Sequence, residues 1–333
     1  MVFSPKLFSS STFIGALIGA ATVAALIPFT SGSSRGRSTV FRGATTQDAS
    51  PSDTDTISVG FIGCGTIASA IARGIATQST INVNSIAVSR RSKAKSAALA
   101  EAFPTLVTVH DDNQEVLDKS DIIFVCVLPQ QATEVLEKLK FDNDKHKLVS
   151  LMSTAKIPDL IQLSKLDDTK VSKMICLPSV AKHQGVCLHC APQGADKQLT
   201  MLFDTMGGVV TLKDEDQLAA AMMTTCVMGP FYGIMKRGRD WLVKNGGLSE
   251  SEASYLITKQ YLGMVQDADR GCEEPSRLDD LIEEQTPGGV NEQALANLDA
   301  LGGLDAYDEV MDAILSRIQG KTDGSVAAAG KQK

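Results

Sequence analysis

Aromatic residues are scarce in this chain. They make up 5% of it, with a single tryptophan, too few for the stacking platform that single-stranded nucleic acid requires. Basic residues are in deficit too, 32 against 39 acidic, and a net charge of −7 argues against a partner with a phosphate backbone. No amino-acid class dominates. A hydrophobic share of 43%, with 27 Gly and 11 Pro in 333 residues, excludes a disordered, collagen-like or multi-pass membrane protein. The seven cysteines are an odd set, at positions 64, 126, 176, 187, 190, 226 and 272. Most sit in apolar runs, which predicts free, buried thiols in a reducing compartment and no disulfide framework. The length suits two domains.

Acid is missing altogether from residues 1–46, which carry Lys6, Arg35, Arg37 and Arg42. Phe13 to Phe29 is uncharged and rich in Ala, Gly and Ile, and a Ser/Thr/Arg-rich stretch follows. An apolar core followed by a transit-like segment predicts an organelle presequence. Its two-part form favours a plastid; a mitochondrion, a single N-terminal membrane anchor and secretion are the alternatives. Residues 47–56 read as a linker. Charge then divides the remainder: residues 47–213 are nearly balanced, residues 214–320 carry a net −12, and 321–333 form a short polar tail expected to be disordered.

Ile57–Ile62 has the apolar, β-branched character of a buried parallel strand, and Gly63-Cys64-Gly65-Thr66-Ile67-Ala68 follows at once. This is G-x-G-x-x-A between a strand and a helix, the setting the dinucleotide fingerprint requires. Gly63 permits a tight turn, Gly65 lets a pyrophosphate approach, and Ala68 lets helix pack on strand. The amides at the helix start, from Thr66 and Ile67 onward, suit phosphate. The second strand ends in Ser89-Arg90-Arg91-Ser92 with no acid for a ribose hydroxyl. Two guanidinium groups suit a 2′-phosphate, so NADPH is favoured over NADH; a solvated charge pair opening the next helix is the alternative.

Strand and helix patterns alternate to residue 213, predicting an α/β, Rossmann-like domain over 57–213 with ligand loops at Gly63–Ala68, Val127–Gln130, Met152–Lys156 and Pro178–Lys182. Residues 214–320 predict an all-α domain. Its first helix spans Asp214–Asn245 with a break at Gly229-Pro230. The next opens with a capping box at Ser249 and Glu252, and a Thr286-Pro287-Gly288-Gly289 turn precedes a helix from Asn291. Cys187, His189 and Cys190, with His183 upstream, pose a metal question. On a strand Cys187 and His189 share one face and Cys190 takes the other, so packing is the preferred reading and no metal is expected.

Gly60-Phe-Ile-Gly-Cys-Gly65, Val127-Leu128-Pro129 and Thr286-Pro-Gly-Gly289, in that order and context, resemble the pyrroline-5-carboxylate reductase family over residues 57–319. The resemblance implies a nicotinamide-dependent reduction of a cyclic imine in proline biosynthesis. It also implies a helical domain that dimerises, with substrate between cofactor and helical layer, and places Val127, Leu128 and Pro129 at the cofactor. The sequence departs from the family at Leu128, where a lysine is usual, at Leu177-Pro178-Ser179-Val180-Ala181, and at Val290-Asn291, where a threonine is usual.

The chemistry is simple in outline. A protonated imine accepts hydride readily, so the protein must chiefly hold the two reactants together. Backbone amides of Gly288, Gly289 and Val290 are candidates for a substrate carboxylate. Asn291 is the candidate to accept from the imine N–H; the alternative makes it only the helix N-cap. A homodimer or higher oligomer is expected. So is a small imine or carbonyl acid as substrate, with a catalytically silent NADPH sensor as the competing function.

Overall fold

The computed structural model describes residues 56–326. Residues 1–46, expected to be a presequence, residues 47–55 of the expected linker and residues 327–333 lie outside them. Eight strands form one sheet: β1 (Ile57–Ile62), β2 (Val83–Ser89), β3 (Val107–His110), β4 (Ile122–Val125), β5 (Lys147–Ser150), β6 (Val171–Ile175), β7 (Cys187–Cys190) and β8 (Val209–Leu212). Their order is β3-β2-β1-β4-β5-β6-β7-β8, and every pairing is parallel except β6 with β7. Nucleotide folds of this type reverse their strand order beside β1, which lies between β2 and β4 here. The fold is thus the expected α/β sheet followed by helices.

Both faces of the sheet are covered, which is why its strands read as near-continuous apolar runs. On one face Phe61 and Phe124 stack with ring centres 4.9 Å apart and meet Phe203, under Ile71 and Ile75 of α1 (Thr66–Thr77). The other face holds Ile62, Ile123, Val125 and Leu148 against Leu218, Met222 and Met223. Met311, Ile314, Leu315 and Ile318 return from near the C-terminus to complete that second core.

Three elements were not evident in the sequence: β3, and two short helices, Asn113–Asp118 and Ile157–Ser164. Each is too short to show a period. After β4 a 3-10 turn, Pro129–Gln131, leads into a short helix, Ala132–Leu136.

The helical break expected at Gly229-Pro230 falls earlier. The helices run Glu215–Ala221, Met223–Cys226 and Met228–Gly246, with breaks at Met222 and Val227. Pro230 sits in the first turn of the third, where its missing N–H has no intrahelical acceptor to lose. The capping box at Ser249 and Glu252 opens Glu250–Asp269. Arg277–Glu283, Val290–Ala300 and Gly303–Ile318 follow. Residues 321–326, expected to be disordered, instead turn back on the last helix. Gly320 is left-handed (φ 73°), and the amides of Gly320 and Lys321 donate to the carbonyls of Arg317 and Ser316.

Ala253 is the single fully buried residue among the described positions 228–301. Phe231, Ile234 and Trp241 stand exposed, Trp241 by 62%. Met222 and Met223, just before this stretch, are buried against the sheet.

Candidate functional site

The glycine turn lies at the carboxyl end of β1. Gly63 has φ 95°, and a Cβ there would stand 2.7 Å from the Cys126 carbonyl oxygen, so only glycine fits. Over Gly65 a Cβ would meet nothing within 4 Å. Gly65 caps α1 without any side-chain cap, which leaves the Thr66, Ile67 and Ala68 amides without intrahelical acceptors. Open space above uncapped amides at a helix start is the shape and polarity a diphosphate needs. Ser89 is buried, and its hydroxyl accepts from the Gly63 N–H at 2.8 Å. It braces the turn, and its own O–H is left to donate, so the bond is compatible with the cofactor contact expected of Ser89.

Cations gather at the end of β2, in an arrangement the sequence only partly foresees. Arg90 pairs with Asp111 at 2.9 Å, an acid that β3 brings alongside. Arg91 faces Glu134, whose carboxyl is held below its usual range first by Lys138 and also by this guanidinium. The cation nearest the glycine turn is Lys95, whose ammonium donates to Thr66 Oγ1 at 2.6 Å. Burial raises the Cys64 thiol, and Lys95 opposes that rise. Lys95 stands beside the glycine turn, and sequence reading did not single it out. The available signal was the basic run Arg90 to Lys95, which continues into the helix Lys93–Ala102.

The other loops at this edge differ in freedom. Val127 is buried at the end of β4, Leu128 is exposed, and Pro129 opens the 3-10 turn. The 152–156 loop is pinned from below: the Lys173 ammonium donates to the carbonyls of Ser153 (3.1 Å) and Ala155 (2.6 Å) and to Glu215 (3.0 Å). Burial pulls the Lys173 pKa down, and Glu215 partly restores it. Beyond β6 a groove of about 490 Å³ opens between the 177–179 segment and the helices. Leu177, Pro178, Val227, Met228, Phe231 and Ile234 make it apolar, and Ser179, Thr224, Tyr232 and Tyr307 add hydroxyls. From β2 to β6 is four strand steps, roughly 19 Å, the span of an extended dinucleotide.

The Thr286–Gly289 turn is formed as expected, but its groups are engaged. The Gly288 N–H donates to Glu292 Oε2 at 2.6 Å, and the Gly289 N–H donates to the Thr286 carbonyl at 2.8 Å. The two glycine amides offered for a substrate carboxylate are therefore satisfied from within the chain. Gly289, not Asn291, is the helix N-cap; Asn291 is the second residue of the helix and donates from Nδ2 to Gln285 Oε1 at 3.0 Å. Val290 is 80% exposed. Within one chain Gly288, Gly289, Val290 and Asn291 do not line the groove.

The thiols separate as the strand alternation predicts. Cys187 faces the core of α1 and Cys190 faces the opposite core, so the two cannot converge on one ion. His189 is buried edge-on against Phe203 at 4.8 Å. All seven cysteines are free, though Cys226 and Cys272 are exposed where burial was the general expectation.

Residues 58–154 match the family described as NADP oxidoreductase coenzyme F420-dependent. Among characterised proteins, the pyrroline-5-carboxylate reductase of Arabidopsis thaliana is 26% identical over 248 residues, 72% of this chain and 86% of that one. That of Synechocystis sp. is 24% identical over 273 residues, 79% and 97% of the two chains. Over most of its length the chain is thus similar to pyrroline-5-carboxylate reductases. Solved structures agree on the fold. The Coxiella burnetii pyrroline-5-carboxylate reductase superposes with a TM-score of 0.68 at 21% identity, over 80% of this chain and 99% of that one. The Plasmodium falciparum pyrroline carboxylate reductase, solved with NADP bound, gives 0.66 at 21%, over 81% and 99%. The family match ends at residue 154, so it covers the glycine turn and the β2 end but neither the groove nor the 286–289 turn.

Proposed function

We propose that this protein is an NADPH-dependent imine reductase of the pyrroline-5-carboxylate reductase type. The observation that carries the reading is the glycine turn: open space over Gly65, three uncapped amides of α1, and Lys95, Arg90 and Arg91 at the neighbouring strand end. Reduced nicotinamide, when bound, supplies hydride to the carbon of a C=N bond whose nitrogen is protonated, giving an amine and the oxidised cofactor. The chain's own part is binding and orientation. The α1 amides take the diphosphate, Lys95 and the arginines take the 2′-phosphate, and the 177–179 segment and its groove shelter the far end from water.

The working assembly is a homodimer. Support comes from the exposed Phe231, Ile234 and Trp241, and from the separation of the 286–291 turn from the groove of its own chain. A second copy supplies that turn, and Asn291 with it. Pyrroline-5-carboxylate, the imine in its relatives' names, gives a place in proline biosynthesis, and the acid-free leader gives an organelle, plastid before mitochondrion.

The test is NADPH oxidation by the purified protein with cyclic imines, followed by nicotinamide absorbance. Turnover supports the reading. Tight NADPH binding without turnover on any imine or small carbonyl acid replaces it with the NADPH-sensor function. A fluorescent fusion to residues 1–46 tests the organelle.

A further inference from the structure

Lys173 is a charge in a place that suits apolar residues. It lies in the middle of β6 with its side chain 3% exposed, on the sheet face that Val171 and Cys190 help to fill. Burying an ammonium is costly unless its protons find acceptors. It has three, and they go to the carbonyls of Ser153 and Ala155 and to Glu215 Oε1. The second carboxylate oxygen of Glu215 accepts from the Ile157 N–H at 3.3 Å. One buried ion pair thus ties down alternate residues, 153, 155 and 157. The loop before Ile157, residues 151–156, has no helix or strand of its own, so these bonds set its shape. Its outer side is open, with Ser153 and Thr154 exposed. Stability alone does not call for such a pair, since apolar side chains of similar volume often hold a core as well.

The strand order gives the loop a place along the cofactor. The glycine turn follows β1, the 2′-phosphate cations follow β2 on one side of it, and β4 and then β5 lie on the other. A dinucleotide with its diphosphate over β1 and its 2′-phosphate at β2 carries its nicotinamide toward β4 and β5. The 151–156 loop stands there, two strand steps or about 10 Å from the turn. We propose that Lys173 and Glu215 are positioning residues for the nicotinamide: they touch neither cofactor nor substrate, and they fix the 153–157 backbone as the surface on which the ring rests. The inference rests on the imine-reductase reading and adds to it the groups that hold the hydride donor in line. Glu215 also opens the first helix after the sheet, Glu215–Ala221, so the same ion pair ties the loop to the start of the helical region.

The experiment uses the full chain and two ligands, NADP⁺ and 2′-phospho-ADP-ribose, which is the same molecule without nicotinamide. Lys173→Met leaves Glu215 without its cation and can cost the fold, so the double variant Lys173→Met/Glu215→Gln, which removes both charges together, is titrated beside it. The double variant should melt within a few degrees of the wild type and bind 2′-phospho-ADP-ribose unchanged. It should lose most of the extra affinity that nicotinamide gives the wild type. With NADPH and pyrroline-5-carboxylate its kcat should fall at least about tenfold, with KM for the imine little changed. Equal affinity of the wild type for the two ligands, equal weakening of both in the double variant, or an unchanged kcat overturns the inference and makes the ion pair a structural one. A wild type that binds NADP⁺ but reduces no imine overturns the imine-reductase reading alone, and the titration still decides the role of Lys173. A wild type that binds neither ligand overturns both.

Discussion

Lys95→Met removes one positive charge from the mouth of the glycine turn and keeps the length and apolar stem of the side chain. In the structure that ammonium sits 2.6 Å from Thr66 Oγ1 and has no carboxylate partner among the described residues. It is free to turn toward a phosphate without breaking an ion pair. A hydrogen bond to a charged group is worth about 1.5–3 kcal/mol, so NADPH should bind roughly ten- to a hundredfold more weakly. NADH, with no 2′-phosphate, should be nearly unaffected. Arg90 provides the internal comparison. Its pair with Asp111 is half exposed on one side and 71% exposed on the other, and such pairs are worth about 0–1 kcal/mol. Arg90 can therefore be recruited by a phosphate at small cost, but part of its charge is already spent. Arg90→Ala should weaken NADPH binding by less than Lys95→Met, and Asp111→Asn should strengthen it. Calorimetric or fluorescence titration of both cofactors against the three variants reads this directly. Equal loss of NADPH and NADH in Lys95→Met would move Lys95 from the 2′-phosphate to the diphosphate and refute the reasoning.

Gly63→Ala forces a Cβ against the Cys126 carbonyl at φ 95°; strain of about 1–3 kcal/mol should lower the melting temperature by several degrees and weaken both cofactors together. His189 is buried with neither ring nitrogen partnered, and burial lowers its pKa to about 4. Its unfolded value is about 6.5, so it stays neutral in the fold. The stability this gives is present above about pH 6.5 and is lost as pH falls toward 4, up to about 3 kcal/mol. Thermal unfolding across that window should show the loss, and His189→Gln should flatten it; an unchanged slope would mean other groups dominate. Light scattering at micromolar concentration should give twice the protomer mass, and a monomer would remove the second copy from the site. Asn291→Ala should lower kcat roughly three- to thirtyfold with NADPH affinity unchanged; a loss of melting temperature alone would leave Asn291 as a brace for Gln285.

The sequence by itself determined the α/β architecture, the glycine turn and the capping box at Ser249. These are local features. An apolar run, a G-x-G-x-x-A spacing and a Ser-x-x-Glu spacing each encode their structure within a few residues, because backbone sterics and helix-end hydrogen bonding act at that range. What only the tertiary structure decided is which charges meet. Asp111 reaches Arg90 because β3 pairs with β2, and no spacing in the sequence predicts that strand. Lys95 lies 29 residues from Thr66 and touches it only because α2, the helix Lys93–Ala102, packs beside α1. Ser89 braces the glycine turn because β1 and β2 are neighbours and its hydroxyl meets the Gly63 amide, a contact that no spacing predicts. The Pro-Gly-Gly turn was legible to the residue. That its amide is taken by Glu292 was not, because a hydrogen bond at a helix start depends on a side-chain torsion that the pattern does not fix.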